Sequence, residues 1–179
     1  MIKLSKRLEA ISSLIPNNSK VIDVGCDHGF VAIYLVQKEI CPKVFAMDVR
    51  SGPLSRAQEH IRQYGLGDWI ETRLSDGLAK LKAGEAEGMI CAGMGGPLMI
   101  KIMEEGQVQI GKMKELILQP QSELSEFRKY LRTHGYHIIK ENMGIFSFFS
   151  KEKKEVLDQG LSKTKQSVFS KIARAIAGK

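Results

Sequence analysis

Two short apolar runs near the start of the chain each lead to an aspartate. The first, Val21–Val24, contains Asp23 and is followed by Gly25. The second, Val44–Met47, is followed by Asp48. Buried strands that alternate with helices form a mainly parallel, doubly wound α/β sheet, and such sheets bind ligands where their strands end. The runs therefore predict an α/β fold with a nucleoside site, because Asp48 can accept hydrogen bonds from both hydroxyls of a ribose.

The turn after the first run carries two glycines and two acids. Gly25 and Gly29 let the backbone approach a ligand closely, but the Gly-x-Gly-x-x-Gly row that holds a pyrophosphate is absent. Asp23 and Asp27 would repel a pyrophosphate and attract an ammonium or a sulfonium group. The turn thus favours S-adenosylmethionine over a dinucleotide, the alternative being an ordinary strand–helix turn with a capping aspartate.

The rest of the chain alternates between strand-like and helix-like segments. Strands are predicted over 20–24, 43–47, 69–73, 88–92, 115–119 and 136–140, and helices over 3–15, 28–38, 52–64, 76–81, 98–105 and 122–135. The last of these helices begins with a weak capping box, Ser122–Ser125. Only residues 143–150 offer a further strand, and no turn dipeptide precedes them.

Composition limits the broad class of the protein. The 179 residues suit one domain, and the net charge of +7 is uneven: residues 143–179 carry +5, which leaves +2 for the rest. Three cysteines without ligand spacing predict free thiols and no metal. Because no apolar run could span a bilayer, we expect a cytoplasmic protein without stable membrane association; the oligomeric state is open, with a monomer favoured.

Five segments carry a resemblance to a known family. They are Leu4–Leu8, Asp23–His28, Ala92–Gly96, Leu116–Gln121 and His134–Tyr136, of which the Asp-His pair and the Gly-Met-Gly-Gly stretch are the most specific. Over residues 1–142 the chain resembles the bacterial tRNA (adenine-22, N1) methyltransferases. The resemblance implies a Rossmann-like class I methyltransferase fold, S-adenosyl-L-methionine as cofactor, tRNA as partner and methylation at N1 of adenine.

The resemblance, together with the strand ends, assigns roles to particular residues. The expected cofactor-binding residues are Asp23, Gly25, Cys26, Gly29, Asp48, Val49, Ser75, Asp76, Gly77, Ala92 and Gly93. The expected substrate-binding residues are Lys6, Arg7, His28, Met94, Gly95 and Gly96, with Lys3, Arg50 and Arg56 as further candidates for contact with RNA.

Asp27 is the candidate catalytic residue. N1 of adenine has a lone pair at neutral pH, so catalysis consists mainly of positioning, but the methylated ring is cationic and a nearby carboxylate would stabilise it. Two capping alternatives stay open: Asp27 could cap the helix over 28–38, and Asp76 could cap the short helix over 76–81.

The C-terminal part differs from the resembling family, which usually continues into a strand hairpin and a helical coiled-coil domain. Neither is recognisable, so we expect an incomplete hairpin and divide the chain into a methyltransferase domain, 1–142, and a basic amphipathic helical tail, 143–179. Segments 143–149, 160–165 and 173–179 resemble the N-terminus of a bacterial signal-recognition-particle receptor. A fusion or chimera and a divergent C-terminus are the two explanations.

Three functions remain open at this point. The first is methylation of an adenine in tRNA. The second is methylation of a small molecule, which the absence of a large insertion over the pocket disfavours. The third is a cofactor-binding remnant that lost activity with the C-terminal domain.

Overall fold

The computed structural model describes residues 2–142 and 145–149. Its strands are β1 Val21–Val24, β2 Val44–Asp48, β3 Ile70–Leu74, β4 Gly88–Met94, β5 Glu115–Pro120, β6 His137–Asn142 and β7 Ile145–Phe149. Its helices are α1 Lys6–Ser12, α2 Phe30–Gln37, α3 Ser51–Gln63, α4 Gly96–Glu105, α5 Gln107–Ile110 and α6 Leu124–Thr133.

The strands form one sheet in the order β3-β2-β1-β4-β5-β7-β6, in which the first five are parallel. Strands β1, β2 and β5 are buried along their whole length, as expected for a parallel sheet covered on both faces. The strand order reverses between β1 and β4, and parallel sheets hold their ligands at the carboxyl ends beside such a reversal. The predicted Rossmann-like fold is confirmed.

Two apolar cores cover the two faces of the sheet. Alternate residues of a strand face opposite sides, so Ile22 packs in the core beneath α4–α6, and Val21 packs in the core beneath α1–α3. The two helix layers fix the loops that leave the strand ends. No helix in the described part of the chain is long and apolar enough to cross a membrane.

The C-terminal hairpin is present, and the expectation of an incomplete one was wrong. Strand β7 lies antiparallel between β5 and β6, with Leu116 opposite Phe148 and Asn142 opposite Ile145. The sheet therefore continues past the boundary expected at Asn142, because β7 supplies the hydrogen-bond partner that β5 needs on that side. Of the helical tail predicted over 143–179, residues 145–149 form strand β7, and the remainder lies outside the described residues.

Three local predictions also differ from the structure. The stretch over 76–81 is a turn and not a helix, so the suggested N-cap role of Asp76 is wrong. The capping box does not form: helix α6 starts after Glu123, whose φ is 48° and whose side chain makes no capping bond. The short helix α5 follows Gly106 and was not predicted.

Candidate functional site

A cavity of about 470 Å³ opens at the carboxyl ends of β1, β2 and β4. This volume is within the usual range for small-molecule sites. Most of the predicted site residues line it: Arg7, Asp23, Gly25, Cys26, Asp27, His28, Asp48, Val49, Ser75, Asp76, Gly77, Ala92, Gly93 and Met94. The predicted residues Lys6, Gly29, Gly95 and Gly96 do not.

Gly25 sits where β1 turns into the loop before α2. Its φ is 74°, and its amide and that of Cys26 both donate to the carbonyl of Met47, at 2.8 and 2.9 Å. A Cβ at Gly25 would overlap the methyl group of Met94. The positive φ favours glycine here, and a larger residue would also displace the flexible end of the Met94 side chain.

Gly29 has a packing role in place of the predicted cofactor contact. It is the N-cap of α2 with φ 73°, and a Cβ there would lie 3.1 Å from the Cβ of Ala57 in α3. The close approach of the two helices explains the glycine. Since Gly29 does not line the cavity, that assignment is corrected.

Asp48 organises the loops around the cavity. Its buried carboxylate accepts the backbone N–H of Asp27 at 3.2 Å through Oδ2 and that of Arg50 at 2.9 Å through Oδ1. The guanidinium of Arg50 lies 3.8 Å from Oδ1 and is 70% exposed. One carboxylate thus joins the end of β2 to the turn after β1 and lines the cavity between them.

Asp23 is a buried acid beside the same cavity. Burial, and secondarily the charge of Asp48, raise the pKa of its carboxyl group from 3.8 to about 7. Two close carboxylates at the end of neighbouring strands favour a cationic ligand, which would stabilise the charged form of both. This is the electrostatic character expected for a site that receives an ammonium and a sulfonium.

Asp27 projects from the turn without capping a helix. Its φ is 48°, its side chain is 58% exposed, and its Oδ2 lies 3.6 Å from Nε2 of His28. Helix α2 is capped by Gly29 and by no side chain, so the capping alternative for Asp27 is wrong. Asp27 therefore lines the cavity with an exposed carboxylate that lies beside His28.

The turn after β3 is held by its own serine. The hydroxyl of Ser75 donates to the carbonyl of Gly77 at 3.1 Å and accepts the backbone N–H of Lys80 at 3.1 Å. Asp76 is exposed and lies 4.0 Å from the ammonium of Lys101. Ser75 therefore shapes the turn, whereas Asp76 presents its carboxylate to the cavity.

The carboxyl end of β4 forms the other side of the cavity. Gly93 has φ 79° at an irregularity in the β4–β5 pairing, and its amide donates to Oε1 of Gln119 at 3.2 Å. The same oxygen accepts Nη1 of Arg7 at 2.7 Å. Gln119 thereby connects α1, the β4 loop and β5, a role that sequence reasoning missed although Gln119 lies within a family-like segment.

The two following glycines serve the backbone of α4. Gly95 is the N-cap and Gly96 the first helical residue, and a Cβ at Gly96 would lie 2.8 Å from the carbonyl oxygen of Ser122. The structure therefore shows a packing reason for glycine at Gly96, where α4 lies against the loop before α6. Lys6 lies on α1 outside the cavity.

In the described residues, neither a reactive cysteine nor a metal-binding group provides a second reactive site. Cys26, Cys41 and Cys91 are free and buried, and burial raises the pKa of the Cys41 and Cys91 thiols to about 12 and that of Cys26 further. Thiols held protonated are poor nucleophiles. Within the described part of the chain, no group of three or more His, Cys, Asp or Glu could hold a metal ion.

The sequence matches a family of known domains. Residues 4–147 fit a family model described as a methyltransferase domain. The tRNA (adenine(22)-N(1))-methyltransferase of Bacillus subtilis (strain 168) is 35% identical over 140 residues, which cover 78% of this chain and 59% of that protein. The chain spans about three fifths of the length of the curated relatives that it matches.

Solved structures show the same relationship. The M1A22 tRNA methyltransferase TrmK of B. subtilis superposes with a TM-score of 0.75 at 34% identity, over 83% of this chain and 66% of that one. Streptococcus pneumoniae Sp1610 in complex with S-adenosyl-L-methionine superposes with a TM-score of 0.78 at 32% identity, over 83% of this chain and 73% of that one. The family match ends at residue 147, so it includes part of β7 and overlaps the receptor-like segment 143–149. It does not bear on the segments 160–165 and 173–179.

Proposed function

This chain belongs to the methyltransferase-domain family, in the group of the tRNA (m1A22) methyltransferases, and we propose that it methylates N1 of an adenine in tRNA with S-adenosylmethionine. The observation that carries the proposal is the cavity itself. The buried carboxylates of Asp23 and Asp48 line one side, the end of β4 with φ 79° at Gly93 lines the other, and the exposed carboxylate of Asp27 also lines the cavity.

The donor side fits S-adenosylmethionine, which supplies a methyl group activated by a positively charged sulfur. We assign Asp48 to the ribose hydroxyls, Asp23 to the ammonium of the methionine part and Asp76 to the adenine amine. Val49 is 60% exposed at the cavity and would cover one face of the adenine. The remaining donor-side contacts come from the backbone around Gly25, Cys26, Gly77 and Ala92.

The acceptor side fits a flat, neutral base. N1 of adenine needs no deprotonation before it is alkylated, so the chain has to position the base and exclude water. Methylation makes the ring cationic, and we propose that the exposed carboxylate of Asp27 stabilises that charge. His28 and Met94 line the cavity on this side, and Arg7 lies at its edge, where the phosphates of an RNA would pass.

We further propose a division of the chain that follows the sheet. The methyltransferase domain extends at least through Phe149, because β7 completes the pairing of β5 and β6. The basic segment beyond it is then an addition to a complete sheet. We place the enzyme in the cytoplasm as a monomer, a setting in which its free cysteines stay reduced.

Transfer of a labelled methyl group tests the proposal directly. The full chain is incubated with S-adenosylmethionine labelled on its methyl group and with unmodified bulk bacterial tRNA, and the digested RNA is analysed by nucleoside. We expect label in 1-methyladenosine. Label in another nucleoside would change the proposed target atom, and cofactor binding without any transfer to RNA would favour the small-molecule enzyme or the inactive remnant.

A further inference from the structure

Three aromatic rings meet beside the mouth of the cavity. His28 and Phe30 flank Gly29 at the start of α2 and line the cavity, and His60 approaches them from α3. The ring centroids are 5.5 Å apart for His28 and Phe30, 5.0 Å for Phe30 and His60, and 5.9 Å for His28 and His60. Nothing in the proposed chemistry uses this aromatic cluster as a whole.

The rings of the aromatic cluster form a surface and not a column. The ring of Phe30 is nearly parallel to those of His28 and His60, with interplanar angles of 17° and 20°. In a three-ring column the outer two centroids would be about twice as far apart as neighbours, whereas here all three distances are nearly equal. The two histidine rings, which are tilted by 35° to each other, therefore lie beside one another and not on opposite faces of Phe30, and Phe30 remains 37% exposed.

The aromatic cluster is held in place by its own backbone. Nδ1 of His60 lies 3.0 Å from the carbonyl oxygen of His28, and since a carbonyl only accepts, this nitrogen carries the proton. The close approach of Gly29 to Ala57, at 3.1 Å for a built Cβ, fixes the distance between α2 and α3. A flat surface that is already ordered loses little entropy when a ligand stacks on it.

We propose that the aromatic cluster of His28, Phe30 and His60 is a stacking platform for a nucleobase of the substrate RNA, an inference that rests on the proposed function. Every base has a flat π-face, and stacking on aromatic side chains is the usual way in which proteins hold unstacked bases. A base to be methylated must leave its helix, which exposes such faces. Arg50, 70% exposed on the same cavity, can hold the adjoining phosphate.

The test compares an aliphatic and an aromatic replacement at one position. Phe30→Leu keeps an apolar side chain but removes the π-face, and Phe30→Trp enlarges it. Trp69→Leu is the matched control. Trp69 is 45% exposed and directly precedes β3, so it lies at the amino ends of the strands, whereas the cavity lies at their carboxyl ends. For each full-length variant we would measure equilibrium binding to unmodified bulk tRNA, its dependence on salt, the KM for tRNA and the Kd for S-adenosylmethionine.

We expect Phe30→Leu to weaken tRNA binding and raise the KM about tenfold, the scale of one stacked base, with the cofactor Kd unchanged. The slope of binding against salt should stay the same, since no phosphate contact is lost. Phe30→Trp should retain wild-type affinity, and Trp69→Leu should behave as wild type.

Three results would overturn the platform: wild-type tRNA affinity in Phe30→Leu, a Trp variant as weak as the Leu variant, or a parallel loss of cofactor affinity, which would assign the rings to the cofactor's own adenine. RNA binding is measured without turnover. If Phe30→Leu binds tRNA more weakly than the wild type, but the wild type transfers no methyl group, the platform is supported and only the proposed reaction is contradicted.

Discussion

The two sides of the cavity are built from different chemistry. On the donor side, at the ends of β1 and β2, Asp23 and Asp48 are each about 95% buried, and backbone amides hold the carboxylate of Asp48. On the acceptor side, at the ends of β4 and β5, the loop carries glycine, and the neutral amide of Gln119 binds the guanidinium of Arg7.

This difference matches the charges of the two proposed reactants. Acids on the donor side suit a cofactor with an ammonium and a sulfonium. A neutral loop with one cation at its edge suits a neutral base attached to an anionic backbone. Asp27 stands between the two sides, where the positive charge passes from the donor to the product.

The largest expected effect is at Asp27. Asp27→Asn should lower kcat for methyl transfer by about 10²-fold, the lower end of what a positioned catalytic carboxylate contributes, while cofactor affinity changes little. Asparagine tolerates the positive φ of this position, so the turn is preserved. Single-turnover transfer and calorimetric cofactor binding give the two numbers. Equal losses in kcat and in cofactor affinity would mean that Asp27 binds the cofactor, and would contradict its proposed role at the acceptor.

Asp48 tests the donor side alone. Asp48→Ala should weaken binding of S-adenosylmethionine by about 1–3 kcal/mol, because it loses the ribose contacts and releases the amides of Asp27 and Arg50. Asp48→Asn retains one acceptor oxygen and should lose less. Calorimetry on both variants makes the comparison, and unchanged affinity in Asp48→Ala would sink the cofactor assignment.

The placement of the donor-side acids at the cavity could be predicted from the sequence because the pattern is local. Each acid lies at the end of an apolar run, and strand ends of a parallel sheet meet at one edge. The bond between Arg7 and Gln119 joins residues 112 positions apart, and no local pattern indicates such a contact. The same holds for the ring of His60, which reaches Phe30 only through the packing of α2 against α3.

The hairpin was missed for a different reason. Strand β7 pairs with β5 and β6, but its sequence, Ile145–Phe149, follows no turn dipeptide and merges into a basic segment. Its strand character depends on the open edge of β5, which is a property of the assembled sheet. Gly29 and Gly96 show that a glycine near the site can have a packing reason that the sequence does not reveal, since Gly29 packs against Ala57 of α3 and Gly96 against the loop before α6.

The buried acid of the donor side should make stability depend on pH. The pKa of Asp23 is about 7 in the folded chain against 3.8 for an ordinary aspartate, so between these values the folded state binds more protons than the unfolded state. The free energy of unfolding should then fall as pH rises from about 4 to about 7 and remain lower above it.

Asp23→Asn removes that ionisation. At pH 8 it should raise the free energy of unfolding by about 1–3 kcal/mol, with less effect at pH 4, and it should weaken cofactor binding because the anion that faces the ammonium is lost. Urea unfolding at the two pH values measures the first effect. If the free energy of unfolding of Asp23→Asn changes with pH as steeply as that of the wild type, the pH dependence comes from another group.

The role of Arg7, the cation of the acceptor side, can be tested by comparison with Lys6, a neighbour of equal charge. Arg7→Gln should raise the KM for tRNA about fivefold, since it removes both a phosphate contact and the bond that holds Gln119 against Gly93. Lys6→Gln removes the same charge one residue away, outside the cavity, and should change the KM less than twofold. Equal effects of the two variants would mean that Arg7 contributes only its positive charge and makes no specific contact with tRNA.

Arg7 and Gln119 should also act as a unit. Gln119→Leu removes the shared acceptor oxygen, and its effect on the KM should not add to that of Arg7→Gln, because each change breaks the same bond. Additive effects would show that the two residues contact the substrate independently.

The smallest expected effect is that of removing residues 151–179. The residues assigned to the cofactor lie between Asp23 and Gly93, and the last strand of the described part of the chain ends at Phe149. The Kd for S-adenosylmethionine should therefore stay within about twofold of wild type, since it depends on contacts made on the donor side. The removed segment carries a charge of +5, so any change should appear in the salt dependence of tRNA binding, on the acceptor side. Loss of cofactor binding would instead mean that the donor side needs this segment to fold, and that the domain does not end after β7.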